Sequence, residues 1–130
     1  MRREGWELML AEHLDRVPEF AIGRDDCALW CARWIEKATG LDLVTPWEGK
    51  YHDERSLAAL MESRGFRSVA DIASASLPPR PIALAMRGDL TLYPTGCLGI
   101  CNGQVSHFLS DAGYLTYPTL QCLRAWGVDG

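Results

Sequence analysis

The residues Asp25-Asp26-Cys27 open an apolar, helix-like run. A cysteine in the first turn of a helix faces N–H groups that lack an intrahelical partner and the positive end of the macrodipole. Both favour the thiolate, the reactive form of sulfur. Such a sulfur can attack a carbonyl if a base takes the thiol proton and returns it to the leaving group, and if a third polar group orients that base. Histidine suits the base role because it titrates near neutral pH, and the chain has three: His13, His52 and His107. His13 lies on the apolar stripe of an N-terminal helix and reads as a core histidine with one hydrogen-bond partner. His52 stands in a loop between Tyr51 and Asp53 and reads as a solvated residue. His107 falls in the middle of a strand, Val105 to Leu109, with its side chain opposite to those of Ser106 and Phe108. It is either a half-exposed sheet residue or the base for Cys27. The candidate catalytic residues are therefore Cys27 and His107.

The five cysteines also raise metal and redox chemistry. Cys27 and Cys31 are four apart on a helix, and Cys97 and Cys101 four apart on or near a strand. Structural zinc sites use closer pairs on turns, and strand positions four apart are about 13 Å from each other. A site built from Cys27, Cys31, Cys97 and Cys101 would need a sharp bend at Gly99. The expectation is no metal and no cofactor, with reduced and mostly buried cysteines in a chain made in the cytoplasm.

The elements that must position these residues follow from pattern and length. A chain of 130 residues, 48% apolar and 23% charged, fits one domain (residues 1–130) with a real core. A net charge of −4 argues against a general nucleic-acid binder. No signal peptide and no membrane span is visible. Trp6, Met9, Leu10, His13, Leu14 and Val17 recur at helical spacing, predicting a helix from about Gly5 to Arg16, stopped by Pro18. Asp25 or Asp26 caps the next helix, which carries Cys27, Cys31, Trp34, Ile35 and Ala38 on one face and ends at Gly40. Leu29 and Trp30 add apolar groups on other sides, so this helix is expected to be central. Residues 41–51 read as a loop. Asp53 caps a third helix ended by Gly65, and Ser68 with Asp71 reads as a capping box for a short fourth helix through Ala73. Beyond Pro78-Pro79-Arg80-Pro81 the chain is strand-like: Asp89–Tyr93, Cys97–Cys101, the turn pair Asn102-Gly103, Val105–Leu109, and Tyr114–Tyr117. Helices followed by an antiparallel meander make an α+β plan. Neither a repeat nor a linker interrupts it. The five tryptophans read as core anchors, with Trp47 able to line a cleft and Trp126 to act as a docking group.

The order of these motifs resembles a family. Asp26-Cys27 opening an apolar helix, Gly88-Asp89-Leu90 opening a strand, and Leu98-Gly99-Ile100 on the next strand are similar to the NlpC-type papain-like cysteine peptidases. A group of small phage proteins encoded among tail genes is more similar still, nearly end to end. The shared features are Thr39-Gly40-Leu41-Asp42, Gly49-Lys50-Tyr51, Gly113-Tyr114 before Pro118, and Ala125-Trp126. The resemblance implies a papain-like α+β fold, with N-terminal helices packed on a small antiparallel sheet. It implies that Cys27 is the nucleophile, that Gly88 and Asp89 form a structural pair, and that His107 stands about where the family has its orienting residue. The catalytic histidine should precede Leu98, and that position is Cys97; if the sheet approaches the helix, Cys27 and Cys97 can form a disulfide.

Two readings follow. In one, the chain keeps the fold as a structural or assembly part of a phage or prophage tail, docking to tail-hub or tail-tip proteins in the virion after synthesis in the bacterial host. In the other, His107 serves as base and the chain cuts peptidoglycan peptides. The hairpin register decides which face His107 takes. In either case the Asp26 carboxylate beside Cys27 raises the thiol pKa, opposing the helix effect.

Overall fold

The structure is a computed structural model and describes residues 1–129. Four helices precede a six-stranded sheet: α1 Trp6–Asp15, α2 Cys27–Thr39, α3 Glu54–Ser63 and α4 Val69–Ser76, then β1 Pro79–Arg80, β2 Leu90–Leu92, β3 Leu98–Asn102, β4 Val105–Ser110, β5 Gly113–Pro118 and β6 Arg124–Trp126. Every pairing is antiparallel, in the order β1-β6-β2-β3-β4-β5. The expected α+β plan holds. The meander covers β2 to β5 only, because β6 returns to lie between β1 and β2.

α2 is the organising element. Leu29, Trp30, Cys31, Ala32, Trp34, Ile35 and Ala38 are all buried on it. One side packs Trp30, Trp34 and Ile35 against Leu10 of α1 and against Leu90, Leu98, Ile100, Leu109 and Trp126 of the sheet. The other packs Leu29 and Ala32 against Val44, Trp47, Tyr51 and Met61. A fully buried indole removes roughly 150–250 Å² from water, about 4–6 kcal/mol each before entropy is counted. The paired Trp30 and Trp34 thus hold α2 firmly on the sheet. Trp126 is fully buried among these groups, which rules out the docking role raised above. Trp47 is a core residue against Phe66, 5.9 Å between ring centres, with the Arg64 guanidinium over its ring.

The caps are as the residue types demand. Asp53 and Ser56 form a reciprocal capping box at α3. At α4 Ser68 accepts from the Asp71 N–H, but the Asp71 carboxylate turns to the Arg67 N–H instead of closing a box. α4 also runs past Ala73 to Ser76. Among the described residues no helix is long and apolar enough to cross a membrane.

Candidate active site

The tip of α2 is held by one buried carboxylate. Asp26 takes the N-cap position; its Oδ1 accepts from Leu29 N (2.9 Å), and its Oδ2 accepts from Gly23 N (2.9 Å) and from the Tyr51 hydroxyl. Gly23 lies at φ +84°, and a Cβ there would stand 2.1 Å from the Tyr51 carbonyl oxygen. The loop therefore reaches Asp26 only because it carries glycine at that point. Asp25 faces outward, 3.7 Å from Arg33, so Asp26 is the cap of the two. Burial and the Asp26 carboxylate together push the Tyr51 hydroxyl well up, keeping it a donor. Tyr51 was legible only as part of Gly49-Lys50-Tyr51; no local pattern marks it as the partner of Asp26.

Cys27, the first residue of α2, is half-buried at the edge of an open cleft of about 390 Å³. Cys97, Tyr93, Phe108, Ser110 and Asp111 line the same cleft. The Cys27 thiol is pulled below its ordinary value chiefly by a hydrogen bond from Cys97, with help from the N–H groups of Leu98 and Ala28. Burial and the Asp26 charge oppose this. The Cys97 thiol is pushed far up by the same contact, by burial and by the Cys27 charge. Of the two thiols Cys27 is therefore the one that ionises first, and Cys97 the one that keeps its proton. As a nucleophile Cys27 is well poised. Cys97 cannot replace an imidazole: it already holds its proton and binds it too tightly to release it to a leaving amine.

The structure does not bring His107 to this sulfur. In the β3–β4 ladder His107 pairs with Ile100, three positions along from Cys97, or roughly 10 Å. It takes the helix-facing side, as Ile100 and Leu109 do, but lies farther along α2. Its Nδ1 is 2.6 Å from the Tyr114 hydroxyl, which donates to Leu14 O at 3.0 Å; Nδ1 therefore carries the hydrogen. Burial lowers the His107 pKa, so the ring is neutral at pH 7. Among the described residues that line the Cys27 cleft, Ser110 takes the place level with Cys97 on β4, followed by Asp111.

The other histidines behave as their surroundings dictate. His13 is buried, stacked on Trp30 at 5.2 Å. Its Nδ1 receives Lys37 Nζ at 2.9 Å, and its Nε2 is 3.0 Å from Trp30 O. Lys37 can only donate, so Nδ1 accepts, Nε2 carries the hydrogen, and the ring is neutral. Burial and the nearby cation lower its pKa to about 4. His52 is exposed beside Asp53.

Asp89 is fully buried between two arginines, Arg2 at 3.0 Å and Arg80 at 3.1 Å, and accepts from Met86 N and Val128 N. Arg2 also donates to the carbonyls of Val128 and Arg87. The carboxylate ties the start of β2 to both ends of the described chain. The sequence marked Asp89 as structural but missed Arg2, whose partners lie more than 80 residues away. Among the described residues no three His, Cys, Asp or Glu side chains gather as a metal ion would need. Cys31 is sealed in the core with its thiol pushed well up by burial, and Cys101 donates to Gly103 O.

This chain belongs to the family described as Domain of unknown function (DUF6950). The match runs over residues 1–128. The DUF6950 span thus takes in the α2 tip, the Cys27–Cys97 cleft and the Asp89 clamp. No curated protein and no solved structure matches the chain.

Proposed function

We propose that this chain is a papain-like domain of the NlpC type whose cysteine-hydrolase site is degenerate, and that it serves as a structural or assembly component at a phage or prophage tail tip. One observation carries the reading: Cys97, a thiol that keeps its proton, stands against the Cys27 sulfur where a hydrolase needs its base. The cysteine at a helix tip packed on an antiparallel sheet supports the fold assignment, as does the buried Gly88-Asp89 corner. The tail location rests on the motif order alone. Co-expression with phage tail-hub and tail-tip proteins tests the proposal. A stable complex that Cys27→Ser leaves intact is expected; a monomer that binds none of them overturns it.

The lowered Cys27 pKa beside an open cleft favours a second reading, an active peptidase or amidase on peptidoglycan peptides. His107, or a group that reaches the cleft with the substrate, would then act as base. Incubation with cell-wall fragments beside a Cys27→Ala control separates the two. Turnover lost in the control establishes the enzyme; no turnover by either protein supports the degenerate site.

A further inference from the structure

We propose that Cys27 and Cys97 form a peroxide-reactive thiol pair, in which a hydroperoxide oxidises Cys27 and Cys97 then closes a reversible disulfide between the α2 tip and the start of β3. The inference does not depend on the tail role or on hydrolysis.

Three features of the cleft support it. First, Cys27 and Cys97 both line it, whereas Cys31, Cys101 and Cys122 are buried. A small peroxide reaches the first two and not the rest. Second, Cys27 is the thiol of the pair that ionises first, and the thiolate is the form that attacks a peroxide. Third, Cys97 follows the exposed turn Pro94-Thr95-Gly96. That turn lies outside the core, so the small shift that closes the sulfurs to a bond of about 2.05 Å would not disturb buried packing.

The steps balance. The Cys27 thiolate attacks the distal oxygen of ROOH; the O–O bond breaks, an S–O bond forms, and the alkoxide leaves as ROH with a proton from cleft water. Cys27 is now a sulfenic acid. Its negative charge, one of the causes that keep Cys97 protonated, is gone. Cys97 can then lose its proton and attack the Cys27 sulfur. The S–O bond breaks, the S–S bond forms, and the hydroxyl leaves as water with the Cys97 proton. Two sulfurs are each oxidised by one electron and the peroxide takes both. A dithiol reductant reverses the change.

The test uses the reduced full chain, treated with one equivalent of hydrogen peroxide, quenched with iodoacetamide and mapped by mass spectrometry. A Cys27–Cys97 linked peptide is expected, lost on dithiothreitol treatment. Cys27, which lines the cleft, should be consumed before the buried Cys101 and Cys122. In Cys97→Ser, oxidation should halt at a Cys27 sulfenic acid that dimedone captures. In Cys27→Ser, residue 97 should stay open to alkylation. Even consumption of all five thiols, a disulfide between other positions, or no dimedone adduct in Cys97→Ser would overturn the proposal. The wild-type map alone suffices if a variant fails to fold.

Discussion

Asp26 links the stability of the α2 tip to the reactivity of the sulfur beside it, and the two can be separated by substitution. Asp26→Ala removes the acceptor of three donors at once: Leu29 N, Gly23 N and the Tyr51 hydroxyl. A buried donor left without a partner costs about 1–3 kcal/mol, and loss of an N-cap alone about 0.5–2 kcal/mol. Allowing for water reaching some of the three, the change should cost about 3–5 kcal/mol. That is a large share of the roughly 5–15 kcal/mol that holds a domain together. Asp26→Asn keeps an oxygen for Leu29 N but points an NH2 toward Gly23 N–H, so about 1–2 kcal/mol is expected. Both substitutions remove the negative charge that raises the Cys27 pKa. The thiol should therefore titrate at lower pH in each variant, although each is less stable. Urea unfolding gives the first quantity. The pH midpoint of Cys27 alkylation, rather than its rate, gives the second, since local opening would raise the rate without moving the midpoint. An Asp26→Ala cost below about 1 kcal/mol, or a Cys27 midpoint that rises in Asp26→Asn, would refute the reasoning.

Three further outcomes are expected. His13 has a folded pKa of about 4, below the ordinary value of 6.5. The unfolded chain therefore binds the extra proton first, and stability falls as pH drops from about 6.5 towards 4, by up to about 3 kcal/mol. A urea series in which His13→Gln loses stability over that range as steeply as the wild type would contradict this. Arg2→Ala leaves the fully buried Asp89 carboxylate with Arg80 as its remaining cation and takes the donor from the Val128 and Arg87 carbonyls; it should cost about 2–4 kcal/mol in chemical unfolding, with the amide of Val128 losing hydrogen-exchange protection. Cys97→His places an imidazole beside the Cys27 thiolate; a thiolate–imidazolium pair should carry the alkylation midpoint of Cys27 lower still, and no shift would mean that residue 97 does not touch the sulfur.

Much of the helical half was legible because its signals are local. Asp26, Asp53 and Ser68 each stand where a helix begins, and Gly40 where one ends. The strands that escaped notice, β1 and β6, are two and three residues long, too short to show alternation. They are specified by partners far away in sequence: β6 pairs with Leu90–Leu92 and with Pro79–Arg80. Arg2 was hidden for the same reason. Nothing near it predicts a carboxylate more than 80 residues away.

The position of His107 was lost to a single residue in a turn. A two-residue turn centred on Asn102-Gly103 would set His107 level with Leu98, next to Cys97. The chain turns instead on Gly103-Gln104, with Asn102 paired to Val105 and Gly103 at φ +84° in the first central position. That is the conformation a Gly-first hairpin takes. The shift moves His107 two positions along the ladder, roughly 6.6 Å, to Ile100 and the Tyr114 hydroxyl. Asparagine before glycine satisfies either turn, so composition alone does not select between them. The selection comes from the flanks. The observed register keeps Ile100, His107 and Leu109 on the side of α2 and seats Ser106 on the other, 2.9 Å from Thr119. A hairpin slid to bring His107 beside Cys27 would have to give up that hydroxyl pair and the His107–Tyr114 contact together. The core, more than the loop, is what keeps a histidine away from the cysteine.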